Sequence, residues 1–192
     1  MGEIGQFMRG NGLQKKDFTE SGIGCIHYGQ IYTYYGLSAT KTKSFVSEET
    51  ASRSKMAHSG DIIIAITSEN VEDVCKAVAW LGDEDIAVSG HTAIFSHTEN
   101  PKYISYCFQA EGFFIQKKKY ARGAKVVEIS PKEIAKIKIP LPPLSEQERI
   151  VSILDKFEAL VNDISEGLPA ELKARRQQYE YYRDKLLSFK CA

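Results

Sequence analysis

A chain of 192 residues with 43% hydrophobic and 26% charged residues is long enough for one ordinary domain and an appendage, and its make-up is that of a folded globular protein. Its 25 basic and 25 acidic residues cancel, which argues against a protein that coats nucleic acid through a broad basic field but leaves room for a sequence-specific reader. The longest apolar run, Ile62-Ile63-Ile64-Ala65-Ile66, is strand-sized, far short of the roughly 20 residues that cross a bilayer.

Met1-Gly2-Glu3-Ile4-Gly5-Gln6 lacks the basic and apolar regions of a secretory signal, so a cytoplasmic protein is expected. Gly22 to Gly29 is a β-prone run between glycines, and Ile31 to Tyr35, alternating β-branched and aromatic, is predicted to continue it. Gly60-Asp61 signals a turn, and the segment to Thr67 is predicted as a fully buried strand. Ile86 to Phe95 is β-rich with an interruption at Gly90. Asn100-Pro101 opens a predicted helix, Phe113 to Tyr120 continues helical, and Val126 to Ile129 is a short strand. Ser130-Pro131 places an N-cap and a first-turn proline before another helical turn.

Lys136 to Ile139 is predicted as a strand, and Pro140-Leu141-Pro142-Pro143 after it can join neither a helix nor a central ladder. Ser145-Glu146-Gln147-Glu148 has the form of a capping box, so a helix should start at Ser145. Beyond it Ile150, Leu154, Phe157, Val161, Ile164 and Leu168 recur at alternating steps of four and three, a heptad seam with Ile153 and Leu160 on its shoulder. A second run follows at Leu172, Tyr179, Tyr182, Leu186 and Phe189. Gly167-Leu168-Pro169 between them predicts a kink or short break near 167–170. The halves could be collinear or a hairpin, collinear being favoured because Ala170-Glu171-Leu172 resumes helix at once. Each piece would be roughly 30 Å long, too extended for the small domain to cover throughout, so the stripe calls for a partner helix, with packing on the domain itself as the alternative for Ile150 to Phe157 near the joint.

Chemistry of a catalytic kind is not written in this chain. Phosphate-binding glycine loops, nucleophile elbows and zinc-protease motifs are absent, and Ser89 near His91 is no triad. Cys25, Cys75, Cys107 and Cys191 form no C-x-x-C pair, so neither a disulfide framework nor a metal site is expected. What remains suits nucleic acid. Lys15, Lys16, Lys41, Lys43, Lys117, Lys118, Lys119 and Arg122 are candidate phosphate contacts, which give affinity and register. His27, Tyr28, Gln30 and Tyr32, with His91, are candidates for base edges, although alternation would turn about half of a strand's tyrosines inward. The candidate protein interface is Ile150, Leu154, Phe157, Val161, Ile164, Tyr179, Tyr182 and Leu186.

The segment Ile137-Lys138-Ile139-Pro140-Leu141-Pro142-Pro143-Leu144-Ser145-Glu146-Gln147-Glu148-Arg149-Ile150-Val151 resembles the junction of the specificity subunits of Type I restriction–modification systems, where a target-recognition domain passes into a conserved helix. Gly167 to Leu172, Gln178 to Arg183 and Leu186 to Phe189 resemble that family's helical region. Weaker echoes stand in order at Gly2 to Gly5, Ile26 to Tyr32, Gly60 to Ala65 and Val126 to Ser130. The resemblance implies an α+β protein: a mixed, β-rich target-recognition domain at 1–143, then a helical region at 144–192 that forms a coiled coil. It implies no catalysis and no cofactor on this chain, with S-adenosylmethionine carried by partner methyltransferase subunits, sometimes joined by restriction subunits. Such subunits usually carry two recognition domains and two helical regions, whereas one of each is present here. A homodimer through antiparallel helices, reading a bipartite site in double-stranded DNA, is the expectation. The alternatives are a helical adaptor without DNA specificity and a piece of a larger modification enzyme.

Overall fold

A computed structural model describes residues 1–123, 125–162 and 168–187, and the chain divides into a first unit, Met1–Gln147, and a second beginning at Glu148. In the first unit β1 (Gly5–Arg9) is followed by a 3₁₀ turn (Lys15–Asp17), β2 (Phe18–Thr19), β3 (Ile23–Ile26), α1 (Tyr28–Thr33), β4 (Ser38–Ala39), β5 (Ser44–Val46), α2 (Glu48–Arg53) and β6 (Lys55–Ala57). Then come β7 (Ile62–Ala65), β8 (Thr67–Ser68), β9 (Ala77–Trp80), β10 (Ile86–Val88), β11 (Thr92–His97), α3 (Pro101–Gln109), α4 (Glu111–Lys117), β12 (Val127–Glu128) and α5 (Pro131–Ile134). The helices α6 (Leu144–Asn162) and α7 (Leu168–Leu187) complete the order.

Two five-stranded sheets carry this unit, in the orders β1-β11-β7-β9-β4 and β2-β5-β3-β10-β6, and β8 pairs with β12 apart from them. The all-apolar β7 sits at the centre of the first sheet, antiparallel to both neighbours, so each of its residues is buried. Ile63 and Ala65 join Val78, Trp80 and Ile94 of their own sheet to Ile26, Ala57, Ile86 and Val88 of the other in one core, which Ile31 and Tyr35 complete. The alternate residues, Ile62 and Ile64, are just as deep. Here α3, whose Tyr103, Ile104, Cys107 and Phe108 are buried, packs on β7 and β9. Full burial of each such side chain is worth about 1.5–3 kcal/mol, which is why an uninterrupted apolar run belongs in the central strand.

Three sequence expectations are corrected. Residues 31–35 do not extend a strand: α1 begins at Tyr28, because the His27 side chain accepts from the Gly29 amide while the Gln30 side chain accepts from the His27 amide. The helix buries Ile31, and the turn that ends it, where the Tyr34 and Tyr35 amides both donate to Gln30 O, brings Tyr35 into the same core. Residues 136–139 form no strand either. The main chain there is served instead by the Gln116 amide, which donates to Lys138 O (2.8 Å) and accepts from Lys138 N (3.0 Å), and by the Met1 ammonium on Ile137 O (2.7 Å). Finally, α6 starts at Leu144, two residues before the Glu146 that an N-cap at Ser145 implies, with the amides of Glu146 and Gln147 on Pro143 O, so Ser145 lies within the first turn and not at the cap.

The remaining starts are as expected. Asn100 caps α3 through Tyr103 N with Pro101 in the first turn, and Ser130 and Glu133 form a capping box at α5 behind Pro131. Pro169 falls in the first turn of α7, where its missing N–H costs little. The rest of the expected break, through Gly167, lies outside the described residues, as does Ile164.

Candidate nucleic-acid interface

The start of α1 organises the surface. Gln30, already bonded to the His27 amide, donates from Nε2 to Ser44 Oγ (2.7 Å), and the Tyr28 amide donates to Ser89 Oγ (2.9 Å). His27 is buried, and burial, with the nearby charges of Lys15 and His91 adding, pushes its pKa down to about 4, so the ring is neutral and serves as an acceptor. Two of the nominated base-edge residues, His27 and Gln30, are therefore committed inside the fold.

With the turn fixed, Tyr28 projects a half-buried ring whose centroid lies 4.6 Å from His27 and 5.0 Å from the exposed His91. Four residues on, Tyr32 occupies the same helix face and donates from its hydroxyl to Thr67 O (2.8 Å); burial raises its pKa well above the ordinary phenol value. Lys15 Cε would be 3.9 Å from a Cβ placed on Gly29, so the lysine stem passes over the helix start.

These side chains line one groove of about 600 Å³, shared by Lys15, Tyr28, Tyr32, Thr67, Ser68, Glu69, Asn70, Asp73 and His91. The far wall is a strap, residues 69–76, between β8 and β9. Asn70 and Asp73 lock its bend: Asp73 N donates to Asn70 Oδ1 (2.7 Å) and Asn70 Nδ2 to Asp73 Oδ2 (2.8 Å). The strap's Lys76 Nζ reaches Tyr32 O (3.4 Å). Sequence reading missed Thr67, Ser68, Asn70 and Asp73. The available signal was the run of turn-forming polar residues directly after a buried strand.

The other nominated residues are not brought here. Lys117 is buried, with Nζ donating to Glu72 O (2.8 Å) and Val74 O (2.7 Å), so its ammonium serves the fold and not a phosphate. Lys118 lies over the Phe114 ring (4.3 Å), Lys43 over Tyr34 (4.5 Å), and Arg122 pairs with Glu133 (3.3 Å). Lys41 lines a hollow with Thr42, Trp80 and Asp83, Lys16 another with Gln14 and Arg53, and Lys119 is exposed.

Chemically the groove offers hydroxyls, an amide, an imidazole and carboxylates beside one amine, a set that matches the donor and acceptor pattern of base edges. The described residues contain no group of three or more His, Cys, Asp or Glu placed to hold a metal, and no helix among them is long and apolar enough to cross a membrane. Burial raises the thiols of Cys25 and Cys75 to about 12, far from nucleophilic use at neutral pH.

At the end of the first unit Gln147 is fully buried; Oε1 accepts from Asn100 N (3.1 Å) and Nε2 donates to Glu99 Oε2 (2.7 Å) and Pro142 O (2.9 Å). Of the nominated interface, Ile150 and Leu154 are half-buried and Phe157 is 61% exposed. The side chains of Val161, Tyr179, Tyr182 and Leu186 are outside the described set.

Comparison with known proteins adds a family. Residues 1–174 match the model for the Type I restriction modification DNA specificity domain. The Type I restriction enzyme EcoR124I/EcoR124II specificity subunit of Escherichia coli is 33% identical over 98% of this chain and 47% of its own length. This chain thus spans about half the length of the curated relatives it matches first. Among solved structures, the S subunit of a Type I restriction–modification system from M. genitalium superposes at a TM-score of 0.55 with 14% identity, over 97% of this chain and 44% of that one. A chain from a structure titled for complex assembly and conformational transition of the type I R-M system gives 0.60 with 19% identity, over 96% and 42%. The fold is shared at these identities.

Proposed function

The chain belongs to the Type I restriction modification DNA specificity family, and from that premise we propose that its first unit reads double-stranded DNA through the groove between α1 and the strap, without a catalytic centre of its own. One observation carries this: Lys15, Tyr28, Tyr32 and His91, nominated from sequence for nucleic-acid chemistry, line a single groove although they come from separate parts of the chain. In this reading Lys15 takes a phosphate, while Tyr28, Asn70 and His91 meet base edges. Glu69 and Asp73 disfavour indiscriminate phosphate binding and can accept from a cytosine amino group.

The second unit we read as the docking part. Phe157, Leu160, Leu172 and Tyr181 are each more than half exposed, an apolar surface of the kind that marks a protein contact. The occupant we favour is the same region of a second copy, packed antiparallel in a coiled coil. The resulting two-fold axis would present two identical reading units to a bipartite site. Methyltransferase subunits, bringing S-adenosylmethionine, and restriction subunits are the proposed further partners.

Selection from a randomised duplex library, with and without co-expressed methyltransferase subunits, tests the reading. A single motif should be enriched. Y28A or H91A should lower the preference for that motif over random duplex by about tenfold or more, the worth of a lost base contact, whereas K41Q or K118Q should leave the preference unchanged. Enrichment of nothing under either condition would overturn DNA reading and favour a helical adaptor.

A further inference from the structure

Lys117 holds the groove's far wall from behind. It is the last residue of α4, 4% exposed, and its ammonium donates to two carbonyls of the strap, Glu72 O and Val74 O. It also lies 5.2 Å from the Phe114 ring centroid. The strap needs such support because Cys75, just after the second carbonyl, sits at a φ of +67°, a left-handed conformation that non-glycine residues seldom adopt. There the chain turns back onto β7, Cys75 N donating to Ala65 O (2.9 Å) and Ala65 N to Lys76 O (2.9 Å). On the strap's front, the Asn70–Asp73 turn lines the groove opposite Tyr28 and His91.

We propose that Lys117 is a positioning residue for sequence discrimination: it reaches no base or phosphate itself, but fixes the strap and so the place of Asn70 and Asp73 across the groove. The inference rests on the groove being the DNA-reading surface. Burial lowers the ammonium's pKa, and the carboxylates of Asp73 and Glu72 oppose that, so a charge kept at this depth depends on the strap just as the strap depends on it. Without it two carbonyls lose their donor beside a residue held in the left-handed conformation.

The experiment compares the full chain with K117M and K117R on the selected motif and on random duplex, across salt concentration, with hydrogen exchange read at the Cys75 and Lys76 amides. K117M should speed exchange at both amides and reduce discrimination by about tenfold, the effect of one displaced base contact, while the salt slope stays as in the parent. K117R, a cation of long reach, should recover most of the discrimination. A phosphate contact would behave oppositely, lowering the salt slope by about 0.9 with discrimination intact; that result, or unchanged discrimination, or no recovery in K117R, overturns the proposal. If K117M does not fold, K117Q carries the same test. Failure of the parent chain to select any motif defeats the DNA reading, whereas a parent that selects and a K117M that discriminates equally well defeats only the role of Lys117.

Discussion

The two units treat their apolar residues in opposite ways. In the first, Phe95, Phe113 and the isoleucines of β7 are essentially without solvent contact, and buried polar groups such as Gln147, His27 and Lys117 each have named partners. In the second, Phe157 is 61% exposed and Leu172 70%. A helix can satisfy its own backbone while leaving its apolar stripe wet; a sheet cannot satisfy its edges or faces alone and must find its cover within the fold. The difference teaches where the apolar residues of each unit are directed, inward in the one and out to solvent in the other.

The contrast breaks first at the stripe. If a second copy covers it, the double substitution L154D/F157D should weaken self-association about 1,000-fold or more, since two side chains worth about 1.5–3 kcal/mol each are replaced by charges. Sedimentation velocity at micromolar concentration reads this, and far-UV circular dichroism should show the first unit's melting unchanged. A variant that self-associates like the parent would place the contact elsewhere.

Inside the first unit the largest single loss should come from β7. Ile63 is buried between the sheets, so I63A is expected to cost about 3 kcal/mol through lost transfer energy and the residual cavity. Urea denaturation measures it. A loss under 1 kcal/mol would mean that the core relaxes around the gap and that the two units differ less than their burial says.

How much of this could be read beforehand follows from which forces are local. The buried run at 62–66, the caps at Asn100 and Ser130 and the first-turn proline of α7 are written in adjacent residues, and each was legible. α1 was not, because its alternation of β-branched and aromatic residues is a strand pattern; the helix is imposed by His27 and Gln30 capping each other and by a core that takes Ile31 and Tyr35 together. Residues 136–139 read as a strand, but their pairing partner is the side chain of Gln116, distant in sequence. The groove was half legible for the same reason. Residue type nominated Lys15, Tyr28, Tyr32 and His91, yet only the fold could show that Lys117 faces inward while Lys118 and Lys119 beside it are exposed.

The smallest effect expected is a titration, and it probes whether the α1 cap is as closed as the core beneath it. His27 has a folded pKa of about 4 against an ordinary 6.5, chiefly through burial. Between those values the unfolded chain binds the proton and the folded chain does not, so stability is fully present above pH 6.5 and is lost as the pH falls toward 4. At about 1.4 kcal/mol per pKa unit the loss should be on the order of 3 kcal/mol at most over that window. His97, also lowered by burial, contributes with the same sign, while His58, raised by its bond to Asp85, has the opposite sign and is exposed. Glu133, held below its ordinary value by Ser130, loses its contribution mainly below the window. In H27N the cap keeps an acceptor but cannot titrate, so its stability curve should flatten between pH 6.5 and 4 and retain only the smaller, opposed slopes that His97 and His58 supply. A curve for H27N parallel to the parent's would show that protons reach the ring without opening α1, and that the groove beside it stands on a looser footing than the sheets behind it.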